Sequence, residues 1–203
     1  MLALLTSCGR TDLLQRTVDS LFLNQQREID LLIHEDGNEI LLERGDYKGT
    51  VTAMFSERKG QHESINLFLR KRLNEKYYLH SEDDWEFKNT FDWITASVKI
   101  MESDPMIIKV LPRGTIEHPC KYDYEIDGIK YGFLQPWNSV DNIRWCGFSY
   151  NPGVTRVDLL KKFLPLDRYE NNLAERIYDA GYKTVQLERA VYHHIGEGRS
   201  THG

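Results

Sequence analysis

Residues 77–87 read YYLHSEDDWEF and set three consecutive carboxylates directly after an apolar run: Glu82, Asp83 and Asp84. Like charges side by side repel one another, and partial burial makes their ionisation harder still. The cluster is therefore either a solvated acidic turn or a site where a cation neutralises the charge. Because the apolar run at 76–80 predicts a strand, the position of that strand in the fold decides between the two interpretations.

Strands and helices alternate in the chain before this stretch. Short continuous apolar runs are typical of strands buried on both faces, whereas apolar residues spaced three and four apart are typical of helices. The patterns predict strands at 2–5, 29–33 and 51–55, and helices at 13–24 and 64–73.

The second half of the chain continues the alternation less regularly. A segment rich in Gly and Tyr at 112–142 is too long for a simple connector, which indicates a functional loop or a small hairpin with a tight turn at 126–129. The remaining patterns predict helices at 90–101, 156–163 and 171–180, and strands at 106–111, 145–150 and 184–187.

This order of elements predicts an α/β fold of Rossmann-like type, with a mostly parallel central sheet flanked by helices. Ligands of such folds bind outside the carboxyl ends of the strands. The polar residues at 6–10, 34–38 and 82–84 all follow predicted strands, so they fall at that edge of the sheet. A cation at the acidic cluster is therefore favoured over a solvated turn.

Composition describes an ordinary soluble protein of 203 residues, with 40% hydrophobic and 28% charged residues, which suits one domain. The net charge of −5 argues mildly against general nucleic-acid binding. The odd number of cysteines, Cys8, Cys120 and Cys146, forms no CxxC motif and suits a reducing compartment. The apolar start of MLALLTSCGR is too short for a signal peptide or a membrane span, so we expect a cytoplasmic protein without an integral membrane segment.

Two amino-terminal stretches, LLTSCGRTDLLQRTVDSL at 4–21 and IHEDGN at 33–38, resemble small GT-A glycosyltransferases of the family-two type. The resemblance runs over nearly the whole chain. In that family, a Thr or Ser and a following Arg approach the nucleotide diphosphate, and an acidic DDGS turn contacts the base or ribose. The resemblance implies these donor contacts for four residues: Thr6, Ser7, Arg10 and Asp36.

The sequence SEDDW at 81–85 resembles the Asp-x-Asp metal-binding signature of the same family. A sugar nucleotide carries a diphosphate whose charge a divalent cation neutralises as the glycosidic bond breaks, and hard oxygen ligands suit Mn²⁺ or Mg²⁺. The resemblance implies that Asp84 binds the metal and that Asp83 contacts the donor sugar. Glu82 is matched to the ribose or to metal-bound water.

The stretch YENNLAERIYDAGYKTVQL at 169–187 matches the spacing of inverting members of the family. They carry an acidic residue, Leu three positions on, Arg three later, and then Gly-Tyr. By this match Glu170 is the general base, and a carboxylate at a helix start tends to stay ionised. The alternative is that Glu170 only caps its helix. The chain departs from the family by having Tyr169-Glu170 where Glu-Asp is common.

The carboxyl-terminal sequence VYHHIGEGRSTHG at 191–203 contains two adjacent histidines. In related enzymes a late His completes the metal site, and His194, just before Ile195-Gly196, fits best. By the same resemblance, Arg199 or Ser200 closes over the diphosphate of the donor.

The resemblance implies a single GT-A domain over 1–203, with a nucleotide-sugar half at about 1–87 and an acceptor half at about 88–203. Its expected activity is a metal-dependent, inverting transfer from a nucleotide sugar, in particular a UDP-sugar, by a hexosyl- or pentosyltransferase. Two alternatives stay open: a metal-dependent nucleotidyl or phosphoryl transferase or nuclease, which predicts a second ligand cluster, and a catalytically silent sugar-binding domain. The acceptor stays open among a saccharide, a lipid-linked sugar, a protein and a hydroxylated DNA base.

Overall fold

The computed structural model describes residues 1–25, 27–37, 42–43, 45–71, 74–88, 91–113, 120–138 and 142–199. Thirteen strands, five α-helices and one short 3₁₀-helix at Lys161–Phe163 account for the regular structure of these residues. The strands are β1 (Leu2–Ser7), β2 (Asp30–Asp36), β3 (Val51–Ser56), β4 (Tyr77–Glu82), β5 (Trp85–Phe87), β6 (Ile107–Leu111), β7 (Tyr124–Ile126), β8 (Ile129–Phe133), β9 (Trp137–Asn138), β10 (Arg144–Trp145), β11 (Gly153–Arg156), β12 (Lys183–Leu187) and β13 (Tyr192–His194). The helices are α1 (Thr11–Leu23), α2 (Gln61–Lys71), α3 (Trp93–Ser103), α4 (Val157–Leu160) and α5 (Glu170–Asp179).

Nine strands form the central sheet in the order β3-β2-β1-β4-β11-β6-β12-β8-β7. The first four are parallel neighbours, and β6 and β12 are also parallel to each other. Among the described strands of this sheet, β11 and β8 run against the others. The predicted α/β class with a mostly parallel sheet is therefore confirmed.

Helices cover both faces of the sheet because successive residues of a strand point to opposite faces. Leu5 of β1 belongs to a hydrophobic cluster with residues of α1 and α3. Leu4, its neighbour, belongs to a second cluster with residues of α2, α4 and α5. The continuous apolar runs of β1, β2, β4 and β6 thus reflect strands that are buried on both sides, whereas β3 lies at the edge of the sheet and is partly exposed.

The predicted strand at 145–150 is wrong. Only Arg144–Trp145 pairs there, as β10 with β9, and the strand that enters the central sheet is β11. Residues 146–150 follow an irregular path with Gly147 at φ +85°. Phe148 is 1% exposed, so its apolar character reflects burial in the core and not strand pairing.

The predicted hairpin in the long middle segment is confirmed, because β7 and β8 pair antiparallel. Its turn uses Asp127 and Gly128, both at positive φ, which favours Gly and tolerates Asp.

Parts of three predictions lie outside the described residues, namely 114–119 and 139–141 of this segment, residues 72–73 of one helix and residue 90 of another. No helix in the described part of the chain is both long and apolar enough to span a bilayer.

Candidate active site

The carboxyl ends of β1, β2 and β4 border one open cavity of about 990 Å³. Parallel register places Thr6 beside Glu82 and Ser7 beside Glu35, so the loops that follow these strands lie side by side. Eight residues singled out from the sequence line the cavity: Thr6, Ser7, Arg10, Asp36, Glu82, Asp83, Asp84 and His194. Glu170 and Arg199 are described but are not among the lining residues.

Asp83 fixes the loop that follows β1. Its Oδ2 accepts hydrogen bonds from Ser7 Oγ at 3.0 Å, Cys8 N at 3.4 Å and Arg10 Nε at 3.2 Å, and Arg10 Nη2 binds Oδ1. Burial raises the pKa of Asp83, while the hydrogen bond and charge of Arg10 oppose that rise. The carboxylate matched to the donor sugar is therefore already neutralised by Arg10.

Asp84 and His194 meet because two short strands pair. β5 follows Asp84 directly, and β13 pairs with it antiparallel, which sets His194 opposite Trp85. His194 Nε2 lies 3.1 Å from Asp84 Oδ2, and Ile195 N donates to the Asp84 carbonyl at 2.8 Å. Arg10 Nη1 lies 2.9 Å from the same Oδ2. One carboxylate oxygen thus faces both an imidazole and a guanidinium.

Glu82 has a different environment from its two neighbours, because its hydrogen-bond partner is a tryptophan. Trp85 Nε1 donates to Glu82 Oε2 at 2.9 Å. Burial, followed by the charge of Asp84, raises the pKa of Glu82 to about 8. The three consecutive carboxylates are therefore tolerated in different ways: Asp83 and Asp84 share the guanidinium of Arg10, Asp84 also faces the His194 imidazole, and burial of Glu82 favours its neutral form.

Asp36 holds the loop between β3 and α2. Its two oxygens accept the backbone N–H groups of Lys59 at 2.6 Å and Gly60 at 2.7 Å. Gln61 Nε2, at the start of α2, donates to Thr6 Oγ1 at 3.4 Å. These bonds tie the β1, β2 and β3 loops into one wall of the cavity.

Glu170 is the first residue of α5, but it does not cap that helix. The N-cap position is Tyr169, which makes no side-chain capping bond, and Glu170 Oε1 instead accepts the backbone N–H of Tyr150. Burial raises the pKa of Glu170, opposed by hydrogen bonds from Ser149 and Tyr150 and by the charges of Lys109 and Arg113. The carboxylate therefore contacts the backbone of Tyr150, which lines the cavity.

Lys109 is a buried residue that the sequence reasoning missed. It is 1% exposed on β6, and its Nζ donates to the carbonyls of Ser149 at 2.6 Å and Asn151 at 2.8 Å. His80 Nδ1 lies 2.6 Å from the Tyr150 carbonyl between them. The signal was a lone Lys inside the apolar strand IIKVL, because a buried Lys needs polar partners.

Several basic residues of the cavity were also missed, because they come from segments that are distant in the sequence and carry no motif. They are Arg58, Lys59, His62, Lys88, Arg113 and Arg168.

Arg199 forms a surface ion pair in this structure. Its Nη1 and Nη2 contact the carboxylate of Asp12 at 2.6 and 3.0 Å, and its carbonyl accepts Arg10 Nη1 at 3.3 Å. The segment that contains Arg199 is therefore linked to the cavity through Arg10. Ser200, its alternative as the residue that closes over the diphosphate, lies outside the described residues.

The Asp84 carboxylate and the His194 imidazole fit as ligands of a divalent cation whose other ligands come from a bound phosphate and water. Mg²⁺-type sites use one or two protein ligands, water and substrate phosphates, and two ligands at right angles on bonds of about 2.1 Å lie about 3 Å apart. The 3.1 Å between Asp84 Oδ2 and His194 Nε2 matches that spacing. Within the described ranges no group of three or more His, Cys, Asp or Glu side chains could hold a metal alone, so the remaining ligands would have to be phosphate and water.

No family model matches the chain, and no curated protein matches it. Solved structures do. The mannosyltransferase PcManGT from Pyrobaculum calidifontis, in complex with GDP-Man and Mn²⁺, matches with a TM-score of 0.63 and 13% identity over 99% of this chain and 58% of that one.

TarS from S. aureus, residues 1–349, matches with a TM-score of 0.57 and 12% identity over 94% of this chain and 59% of TarS. A structure of the same protein in complex with UDP gives the same values. The chain thus spans slightly less than 60% of the length of these structures. At such identities the similarity is one of fold, and the chain has the fold of GT-A-like glycosyltransferases.

Proposed function

We propose that this protein is a glycosyltransferase that moves a sugar from a nucleotide sugar to an acceptor hydroxyl with the help of a divalent cation. One observation carries the proposal: Asp84 and His194 face each other at the carboxyl end of β4, beside Arg10, in a cavity of about 990 Å³. Known ligand pockets of about 300–1,000 Å³ hold molecules of nucleotide-sugar size. The GT-A-like fold supports the same proposed function.

Asp84 and His194 are the proposed protein ligands of the metal. When bound, the cation would neutralise the diphosphate and so stabilise the leaving group. Carboxylate, water and phosphate oxygens suit both Mn²⁺ and Mg²⁺, so the proposed metal is one of these two cations. Arg10 contacts Asp83 and Asp84 at once and is placed to orient both carboxylates and to add positive charge beside the diphosphate.

The proposed donor is a UDP-sugar, held by the wall that Thr6, Ser7 and Asp36 help to form. Complexes of the solved relatives with UDP and with GDP-Man are consistent with a nucleotide donor, and they leave the base and the sugar open. In this proposal residues 1–203 act as one domain, with the donor held by about 1–87 and the acceptor by about 88–203.

Glu170 is the proposed general base of an inverting, single-displacement reaction. It would accept the proton of the acceptor hydroxyl as the oxygen bonds to the anomeric carbon and the bond to the diphosphate breaks. Its raised pKa suits a group that must take up a proton. Because Glu170 Oε1 accepts the Tyr150 N–H and Glu170 is not among the lining residues, this role requires the carboxylate to exchange that bond for one to the acceptor.

The deciding experiment incubates the protein with Mn²⁺ and a panel of UDP- and GDP-sugars and follows donor hydrolysis and transfer. We expect turnover with one donor class that requires the metal and is lost in Asp84→Asn. Binding without turnover in the presence of candidate acceptors would favour a silent sugar-binding domain. Cleavage of nucleic acid or release of inorganic phosphate without sugar transfer would favour the phosphoryl-transfer class.

A further inference from the structure

The Lys and Arg residues from the second half of the chain that line the cavity are Lys88, Arg113 and Arg168, here called the cationic rim. The acidic lining residues, Asp36, Glu82, Asp83 and Asp84, all come from the first half. The described lining residues of the second half include no carboxylate, so the wall that would face an acceptor is positively charged.

Backbone bonds hold two members of the rim close together. Lys88 N donates to the Val191 carbonyl at 2.7 Å, and Val191 N donates to the Pro112 carbonyl at 3.1 Å. Val191 is fully buried, which anchors both segments. Lys88 and Pro112, the residue before Arg113, are therefore both held against Val191, and Lys88 and Arg113 both line the cavity.

Arg168 belongs to the loop that precedes Glu170. Tyr150 OH donates to the carbonyl of Asp167 at 2.9 Å, which fixes the loop next to Tyr150 and Asn151 at the cavity wall. Arg168 is thus two residues from the proposed base Glu170 in the sequence, and its loop contacts Tyr150, the hydrogen-bond partner of Glu170.

The acidic side chains of the opposite wall have partners of their own. Asp36 accepts two backbone N–H groups, Asp83 and Asp84 face Arg10, and Glu82 accepts from Trp85. In the described part of the chain, no carboxylate forms an ion pair with Lys88 or Arg168. Cations at a cavity rim in a chain of net charge −5 raise the local concentration of anions.

We propose that the acceptor carries a phosphate group close to the hydroxyl that receives the sugar, and that the cationic rim binds this phosphate. The inference rests on the proposed function, since it assigns the acceptor class of the same site. Arg guanidinium groups bind phosphate through paired N–H donors, and Lys adds a mobile point charge. A phosphorylated sugar and the phosphodiester backbone of a nucleic acid share this chemistry.

The test titrates protein saturated with UDP and Mn²⁺, so that the donor diphosphate site is filled, and detects binding by protein NMR shifts. The probes are glucose 6-phosphate with glucose as its neutral match, and a short single-stranded oligothymidine. We expect at least about tenfold tighter binding of one phosphate probe than of glucose, with the successful probe identifying the source of the phosphate. In K88Q/R113Q/R168Q that advantage disappears.

The matched control is K76Q/K99Q/K183Q, which removes the same charge from exposed lysines that pair with Glu102, Asp127 and Asp104. It should keep the phosphate preference. Equal binding of glucose and both phosphate probes overturns the proposal, as does a rim variant that loses UDP affinity but keeps the phosphate preference. If the wild type binds no UDP, the proposed donor fails, and the rim is then judged by whether phosphate binding still depends on the triple substitution.

Discussion

The imidazole Nε2 of His194 lies 3.1 Å from Oδ2 of Asp84, although 110 residues separate the two side chains in the sequence. The contact depends on the pairing of β13 with β5, which is outside the main sheet. Trp85 packs its ring 4.9 Å from the His194 ring and 4.8 Å from that of Tyr192, which supports this pairing. The two distant segments that form this site are therefore held together by packed aromatic rings.

Replacement of the proposed metal ligands should raise the Mn²⁺ concentration that activity requires, without unfolding the chain. Partners in the outer shell of a metal site cost about 10–100-fold in affinity or activity when removed. A direct ligand should cost at least as much, so Asp84→Asn and His194→Gln are expected to lower Mn²⁺-dependent turnover by on the order of 100-fold or more. The measurement is initial rate against Mn²⁺ concentration, with circular dichroism as the check on folding.

His193→Gln provides the comparison, because His193 Nε2 pairs with Glu86 at 3.0 Å and not with Asp84. Its effect on the Mn²⁺ requirement should be much smaller than that of His194→Gln. Equal effects of the two substitutions, or full activity in Asp84→Asn, would contradict the assignment of the metal ligands.

Gly196→Ala should disturb Asp84 through a direct clash. A Cβ at this position would lie 2.5 Å from Asp84 Oδ2 and 2.7 Å from its Cβ, so the carboxylate would have to move. We expect a several-fold to tenfold higher Mn²⁺ requirement, measured by titration of activity. Gly198→Ala is the control: its φ is +74° and nothing lies within 4 Å of the added Cβ, so it introduces backbone strain without the clash. A shift of the same size in both variants would rule out the clash as the cause.

The sequence predicted those parts of the site that depend on short-range pattern and on strand ends. Asp83 and Asp84 follow a recognisable buried strand, and parallel strands bring their carboxyl ends to one edge. The partner of Asp83 could not be predicted, because the Arg10 contact depends on loop conformation. The lone Lys109 inside an apolar strand signals a buried polar contact, but its partners could not be predicted because they are backbone carbonyls, which carry no sequence signal.

Lys109 should make stability depend on pH above neutrality. Burial lowers its pKa to about 7 from 10.5, so the folded protein binds this proton less tightly than the unfolded chain. Its contribution to the free energy of unfolding is therefore fully present above pH 10.5 and is lost as pH falls towards 7. Urea unfolding at pH 7, 8 and 9 should give a wild-type stability that rises relative to Lys109→Met by up to about 1.4 kcal/mol per pH unit.

Lys99→Met is the matched control for this measurement, because Lys99 is an exposed lysine that pairs with Asp127 at the surface. Its stability difference from the wild type should stay nearly constant between pH 7 and about 9, where an exposed lysine remains charged in both states. A constant difference for Lys109→Met as well would mean that the Lys109 ammonium is not destabilised by burial.

Glu170→Gln tests the proposed base while keeping the fold, because a Gln side-chain oxygen can still accept the Tyr150 N–H. The base must be ionised, and burial raises its pKa above the ordinary value of 4.5, so wild-type kcat/KM should fall with decreasing pH at a higher pH than an exposed Glu would give. In Glu170→Gln we expect transfer to drop by about 10²–10⁴-fold and the acidic limb to disappear, with UDP affinity retained. Glu175→Gln, on the exposed side of α5 where it pairs with Arg144, should keep both rate and profile. An acidic limb that persists in Glu170→Gln would assign the titrating base to another carboxylate.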